Sequence, residues 1–289
     1  MSAGSLLATG LARAHRFMPR LAGYVHTNMF VDTRRLGRFP DDMCPLGATR
    51  IALDGVPRVA AAYVWGSGDP TVLALHGWGA DSTTMSAVVA AALDSGESAV
   101  CFDAPGHGVS PGSRATMKEY ADATLAVLQR FPSIHTIVAH SMSSIAAVSA
   151  VAESGVANVR SLLLLAPTCS LAGVIDRWAA QQGLPPALVT QIHRELQRRD
   201  GMPVPHWDVR TVGLPPSVGV RILHDPTDEV VPLLDSHLIA ADIPAEVHEI
   251  AAGAGHHRIL GSEEMQRALS ACLDSNPRRC GGTATARHG

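Results

Sequence analysis

The chain predicts an α/β fold with a mostly parallel central sheet flanked by helices, and three observations carry that expectation. Short, nearly continuous apolar runs recur along it: 71–76 (TVLALH), 97–102 (ESAVCF), 134–139 (IHTIVA), 161–166 (SLLLLA), 218–224 (VGVRILH) and 245–250 (AEVHEI). Runs of this length, rich in Val, Ile and Leu, suit strands covered on both faces, as in parallel sheets. Helix-like stretches alternate with them, which is the sequence pattern of a doubly wound sheet. Polar clusters follow the carboxyl ends of the runs, where open α/β sheets bind their ligands. With 289 residues the chain is long enough to bury roughly 75% of its unfolded surface in one large domain.

The elements are read in order as follows. Residues 1–47 form an N-terminal extension, in which Leu6, Leu7, Leu11, Met18, Leu21 and Val25 can share one helical face. Six arginines (13, 16, 20, 34, 35 and 38) stand against the single Asp32 through Pro40. A solvated helix face accounts for them; a weak contact with an anionic membrane surface or an acidic acyl carrier is the alternative. From Ala48 two β-like runs around Asp54-Gly55 read as a hairpin. Helices are expected over Ser82–Leu93, Thr116–Arg130, Ser143–Ser154, Leu233–Ala241 and Ser262–Leu273. Between the fourth and fifth apolar runs, residues 169–216 hold two helical stretches punctuated by prolines, read as a cap inserted into a core of 48–168 and 217–274. The end, 275–289, has the composition of a disordered tail.

Composition excludes several classes. A formal net charge of −3 argues against a nucleic-acid binder. Five widely spaced cysteines without a CxxC pair, Cys44, Cys101, Cys169, Cys272 and Cys280, fit reduced thiols better than a disulfide framework or a zinc site. The fourteen histidines contain no HExxH pair. No apolar run reaches the ~18 residues of a membrane helix, and no basic leader precedes an apolar core, so a cytoplasmic protein without metal or cofactor is expected.

The polar clusters are HGWGADS (His76–Ser82), DAPGHGVS (Asp103–Ser110), HSMSS (His140–Ser144), HDPTDEVVP (His224–Pro232) and AAGAGHHRIL (Ala251–Leu260). With these residues the chain resembles the α/β-hydrolase superfamily over roughly Ala48 to Leu273. That family carries its nucleophile on a strand-to-helix elbow, G-x-S-x-G, and its triad in the order Ser, acid, His. The resemblance implies an α/β-hydrolase fold with a short helical cap and casts Ser141 as nucleophile, with Ala139 and Ser143 in place of the two glycines. It casts His256 rather than His257 as the base, because the base follows a G-x-G-like loop. Asp225, Asp228 and Glu229 share one loop, and the family's x-V-V-P element points to Asp228 as the acid, leaving Asp225 as a turn residue or as its replacement. Backbone N–H groups of Trp78 and Met142 would form the oxyanion hole. His76, Asp103 and His107 read as scaffold.

The implied activity is a serine hydrolase acting on a small-molecule carboxylic ester or thioester through an acyl-enzyme on Ser141. An acyltransferase, a non-hydrolytic lyase and a non-catalytic ligand-binding member are the rivals. Trp78, His140, Trp178, Leu184 and Leu188 are expected to line the acyl pocket, joined by Val189 and Ile192 of the cap. Nothing in the sequence fixes the oligomeric state.

Overall fold

The computed structural model describes residues 16–34, 47–154 and 158–274. Eight strands form one sheet: β1 (Thr49–Ile51), β2 (Ala62–Trp65), β3 (Val72–Leu75), β4 (Ala99–Phe102), β5 (Thr136–His140), β6 (Ser161–Leu165), β7 (Gly219–His224) and β8 (Ala245–Glu249). Their order is β1-β2-β4-β3-β5-β6-β7-β8. The β1–β2 and β2–β4 pairs are antiparallel and every other pair is parallel. The direction of winding reverses around β3, with β4 on one side of it and β5 on the other. That places the loops after β3 and β5 side by side at a topological switch point.

The six parallel strands coincide with the six apolar runs, β5 reaching one residue further to His140, and their alternation explains the two-faced core. Leu73, Leu75, Ile137 and Leu164 point to one face and Val72, Ala74, Val138 and Leu165 to the other. The hairpin differs from expectation. Thr49 pairs with Val64 and Ile51 with Ala62, so ten residues separate the strands instead of a two-residue turn. Asp54-Gly55 does turn, with Gly55 at φ +85°, but Arg58 at φ +60° and the flanking Pro57 delay the return strand.

The helices are α1 (Pro19–Phe30), α2 (Ser86–Asp94), α3 (Met117–Arg130), α4 (Ser143–Ser154), α5 (Leu171–Gln181), α6 (Pro186–Asp200), α7 (Leu233–Asp242), α8 (Gly255–Arg258) and α9 (Glu263–Asp274). Helices α3 and α4 cover the first face of the sheet, α2 and α9 the second. Local signals fix their ends. Thr116 and Glu119 close a capping box on α3, and α6 begins with Pro186 and ends at Gly201 in the left-handed region. Helix α2 starts later than the sequence suggests, because Ser82–Met85 forms a 3-10 turn capped by Asp81.

Helices α5 and α6 form the insertion between β6 and β7. Its base is stitched by N–H donation from Leu171 to the Trp207 carbonyl (2.8 Å) and from Val209 to the Cys169 carbonyl (2.9 Å). Arg177 of α5 makes a bidentate pair with buried Asp235 of α7 at 2.9 and 3.0 Å, and Asp235 also accepts from the Cys169 N–H.

Helix α1 packs along α6, so closely that a side chain on Gly23 would stand 2.7 Å from Cβ of Gln191. The buried face of α1 is Ala22, Gly23, His26 and Thr27. Met18 and Leu21, expected on that face, are exposed beside Phe17 and Tyr24; the small residues win the contact because they allow the closer approach. Leu6, Leu7, Leu11, Arg13, Arg35, Arg38, Cys44, Cys280 and the expected tail lie outside the described residues. Among the described residues no helix is long and apolar enough to cross a membrane.

Candidate active site

Residue 141 follows β5 directly and adopts φ +58°, in the left-handed region disfavoured for any residue with a side chain. The turn is held by its surroundings: the Ser141 N–H donates to the Leu165 carbonyl at 3.0 Å, and its own carbonyl accepts from the Ser144 hydroxyl at 2.6 Å. Ala139 and Ser143 flank it in buried positions. The hydroxyl of Ser143 points at the Leu75 carbonyl (3.0 Å) and the His140 carbonyl (2.8 Å), so a residue larger than glycine is accommodated with its polar atom satisfied.

His256 lies in α8, just past β8, and faces the elbow. Its Nε2 is 3.0 Å from Oγ of Ser141, and its Nδ1 is 2.7 Å from Oδ2 of Asp228. A carboxylate only accepts, so Nδ1 carries the proton and Nε2 of the neutral ring offers its lone pair to the serine hydroxyl. The other oxygen of Asp228 accepts from the N–H groups of Val230 (2.7 Å) and Val231 (2.9 Å). Burial alone would raise the Asp228 pKa; the nearby His224 ring, with Nε2 3.6 Å from Oδ2, and hydrogen bonds from His256 and the Val231 N–H outweigh it and hold the carboxyl well below the usual range. His224, buried behind it, donates from Nε2 to the Val231 carbonyl at 2.9 Å and accepts at Nδ1 from the Ser236 hydroxyl at 2.6 Å.

Of the other acids in this loop, Glu229 is exposed, and Asp225 is turned away from the imidazole. The Asp225 carboxylate accepts from Thr227, Gly253 and Gly255, so it is more than the turn residue its position before Pro226 suggests.

The loop after β3 approaches the elbow from the adjacent strand. A side chain on Gly77 would stand 2.9 Å from Nδ1 of His140 and 3.3 Å from Cβ of Ser141, so only glycine fits there without displacement. Met142 follows Ser141 directly, and Trp78 follows Gly77, which packs against the elbow; neither N–H group has a hydrogen-bond partner among the described residues. The indole of Trp78 meets His107 edge-on at 5.0 Å.

His76 supports this loop. It donates from Nδ1 to the Gly77 carbonyl (2.8 Å) and accepts at Nε2 from the Ala104 N–H (3.0 Å). Asp103 accepts from Ser82 and Val109, which ties the loops after β3 and β4 together.

His140 is buried and donates from Nε2 to the carbonyl of His256 at 2.8 Å. Burial, then the charge of neighbouring His256, pushes its pKa down to about 3, so it remains neutral 4.7 Å from the His256 ring. His257 is exposed, edge-on to the His256 ring at 5.1 Å and tilted against that of His140 at 5.9 Å.

The expected cap residues divide. Trp178 is buried against Phe30 of α1, ring centroids 5.5 Å apart, with its indole N–H unpartnered among the described residues. Leu184 is half-buried, packed against the core cluster that includes Trp178 and against Ala22 and Leu188. Leu188 is fully buried against Ala22 of α1, with Val25 and Leu184 around it. The apolar periodicity of α6 identified a buried face without revealing that α1 would cover part of it.

The arrangement can move a proton from a hydroxyl to an imidazole whose cationic form is stabilised by a carboxylate. Among the described residues no cluster of His, Cys, Asp and Glu suits a metal ion.

Comparison with known proteins agrees on the scaffold. The model of the alpha/beta hydrolase family matches residues 71–271. Among solved structures, mouse alpha/beta hydrolase domain-containing protein 10 is similar at TM-score 0.61 and 19% identity, covering 81% of this chain and 99% of its own. An esterase from Pyrococcus furiosus gives 0.59 and 18%, over 84% and 96%. A bromoperoxidase from Bacillus anthracis gives 0.56 and 15%, over 79% and 100%. No curated protein matches the sequence. At such identities the solved structures speak for the fold alone, while the family model spans more than half of the chain: the protein belongs to the alpha/beta hydrolase family.

Proposed function

We propose that the protein is a serine hydrolase that cleaves a carboxylic ester or thioester through an acyl-enzyme on Ser141. The observation that carries this reading is the unbroken hydrogen-bond chain from Ser141 through His256 to Asp228, with the serine held at positive φ.

In this mechanism Oγ of Ser141 attacks the acyl carbon while its proton passes to Nε2 of His256. Asp228 stays ionised and stabilises the imidazolium through Nδ1–H. His140, being neutral, places no second positive charge against that ring. The N–H groups of Trp78 and Met142 receive the oxyanion, a role in which one donor is worth about 10²–10³ in rate. Collapse of the tetrahedral intermediate expels the alcohol or thiol, which takes the proton from His256. Water, deprotonated by His256, then attacks the acyl-serine; the acid departs and Ser141 regains its proton. Trp78 and Trp178, with Leu184 between cap and core, are the side chains we assign to the acyl pocket.

The test is a panel of p-nitrophenyl esters and acyl thioesters of graded chain length, with methanol added as a competing acceptor. The expected result is release of free acid by the wild type and its loss on Ser141→Ala or His256→Gln. Formation of methyl ester without free acid would replace hydrolysis by acyl transfer, and turnover surviving Ser141→Ala would overturn the mechanism.

A further inference from the structure

The Asp225 carboxylate is fully buried, and the reaction itself does not use it. Its Oδ1 accepts from the N–H and the hydroxyl of Thr227, both at 2.7 Å. That is an Asx turn, the usual business of an aspartate before Pro226. The turn accounts for only one of the two oxygens. Oδ2 accepts from the N–H groups of Gly253 (2.9 Å) and Gly255 (2.5 Å), 28 and 30 residues further along the chain. The Thr227 hydroxyl also accepts from the Gly253 N–H at 3.2 Å, and Arg258 donates to the Gly253 carbonyl.

These contacts bear on His256 because of what lies between β8 and α8. Residues 251–253 are exposed, and Gly253 and Gly255 have φ +107° and +62°. A segment of alanine and glycine has little side-chain packing to fix it and much backbone freedom to lose. Asp225 grips it immediately before His256. Asp228 sits three residues beyond Asp225 in the same loop, joined to it by an N–H donation to the Asp225 carbonyl at 3.0 Å. One short loop after β7 therefore holds both the ring of His256 and the backbone that carries it. His140 adds a tie from the opposite side through the His256 carbonyl.

We propose that Asp225 is a positioning residue of the active site, whose carboxylate sets where His256 stands between Ser141 and Asp228 without touching substrate. The catalytic meaning rests on the serine-hydrolase reading above; the positional meaning does not. The charged form is well supported: burial opposes it, but the N–H and hydroxyl donors from Gly255, Thr227 and Gly253 bring the carboxyl down to about 2. The other titratable or charged groups facing His256 and its loop are Asp228, His140, His257 and Arg258, with His224 behind Asp228.

The test compares Asp225→Ala and Asp225→Asn with wild type by two readouts. The first is the far-downfield proton resonance of the His256–Asp228 hydrogen bond, identified by its absence in His256→Gln; it needs no turnover. The second is the rate of fluorophosphonate labelling at Ser141. Asp225→Ala is expected to broaden or lose the resonance and slow labelling about 10–100-fold, as misplacement of a reacting group by about 1 Å does. In an ester assay the loss should fall on kcat with KM little changed. Asparagine keeps one acceptor oxygen for the two glycine N–H groups and is expected to restore most of the rate, leaving a fall of about 3–10-fold. A folded Asp225→Ala with wild-type resonance and labelling would reduce Asp225 to its Asx turn and overturn the proposal. Should that variant not fold, Asp225→Asn decides, and unchanged values in both readouts overturn it. A wild type that shows the resonance without labelling would sink the hydrolase reading, and the resonance in the variants alone would then judge the clamp.

Discussion

Gly77 faces His140 so closely that Nδ1 of the histidine lies 2.9 Å from where a Cβ on residue 77 would stand, with Cβ of Ser141 3.3 Å away. Gly77 lies in the loop after β3 and His140 ends the adjacent parallel strand β5, with Leu75 in register with Ala139. The nucleophile elbow and the loop that carries Trp78 therefore meet at one crowded contact, and the absence of a side chain at 77 allows their approach.

Gly77→Ala is accordingly expected to keep the fold, cost about 1–3 kcal/mol of stability by overpacking, and lower kcat about 10–100-fold by shifting the oxyanion loop. Thermal melting and ester kinetics measure the two effects. Wild-type kcat in the alanine variant would mean that the loop yields without consequence.

Leu188, at the α1–α6 interface, should behave as a core residue. Leu188→Ala is expected to destabilise by about 2–5 kcal/mol while leaving acyl-chain preference unchanged. A changed chain-length profile at unchanged stability would return Leu188 to the pocket wall.

These two residues mark what the sequence could and could not convey. Strands β3 to β6 were legible because burial on both faces leaves continuous apolar runs, whereas β8, at the sheet edge, is half exposed; α4 (Ser143–Ser154) was legible to the residue because the elbow fixes its start. The crowding at Gly77 was only hinted at by two glycines around Trp78. Leu188 is expected from its apolar periodicity to line the acyl pocket, but periodicity does not name the element that covers a face, here Ala22 of α1. Asp225, Asp228 and Glu229 were indistinguishable by type; only the family's pattern separated them, and the hold of Asp225 on Gly253 and Gly255 depends on side-chain direction, which spacing does not encode.

Asp200 gives a pH-dependent prediction. It ends α6, where the helix dipole disfavours negative charge. Burial, with Glu119 nearby and against the opposing effects of the Thr116 hydrogen bond, Lys118 and Arg199, raises its pKa to about 6. The native state therefore holds the proton more tightly than the unfolded chain, and stability falls as pH rises from about 4 through about 6. Asp200→Asn removes that penalty. It should be more stable than wild type by about 1 kcal/mol near pH 8, allowing for partial exposure, and gain nothing near pH 4. Melting curves across this range test the sign; an equal gain at both ends would contradict it.

The central claim, an activated serine at the β5 elbow, is tested most directly by intact-mass analysis after fluorophosphonate treatment of wild type and Ser141→Ala. The account predicts one adduct on the wild type and none on the variant. A folded wild type that takes no adduct, or a variant that takes the same one, would contradict it.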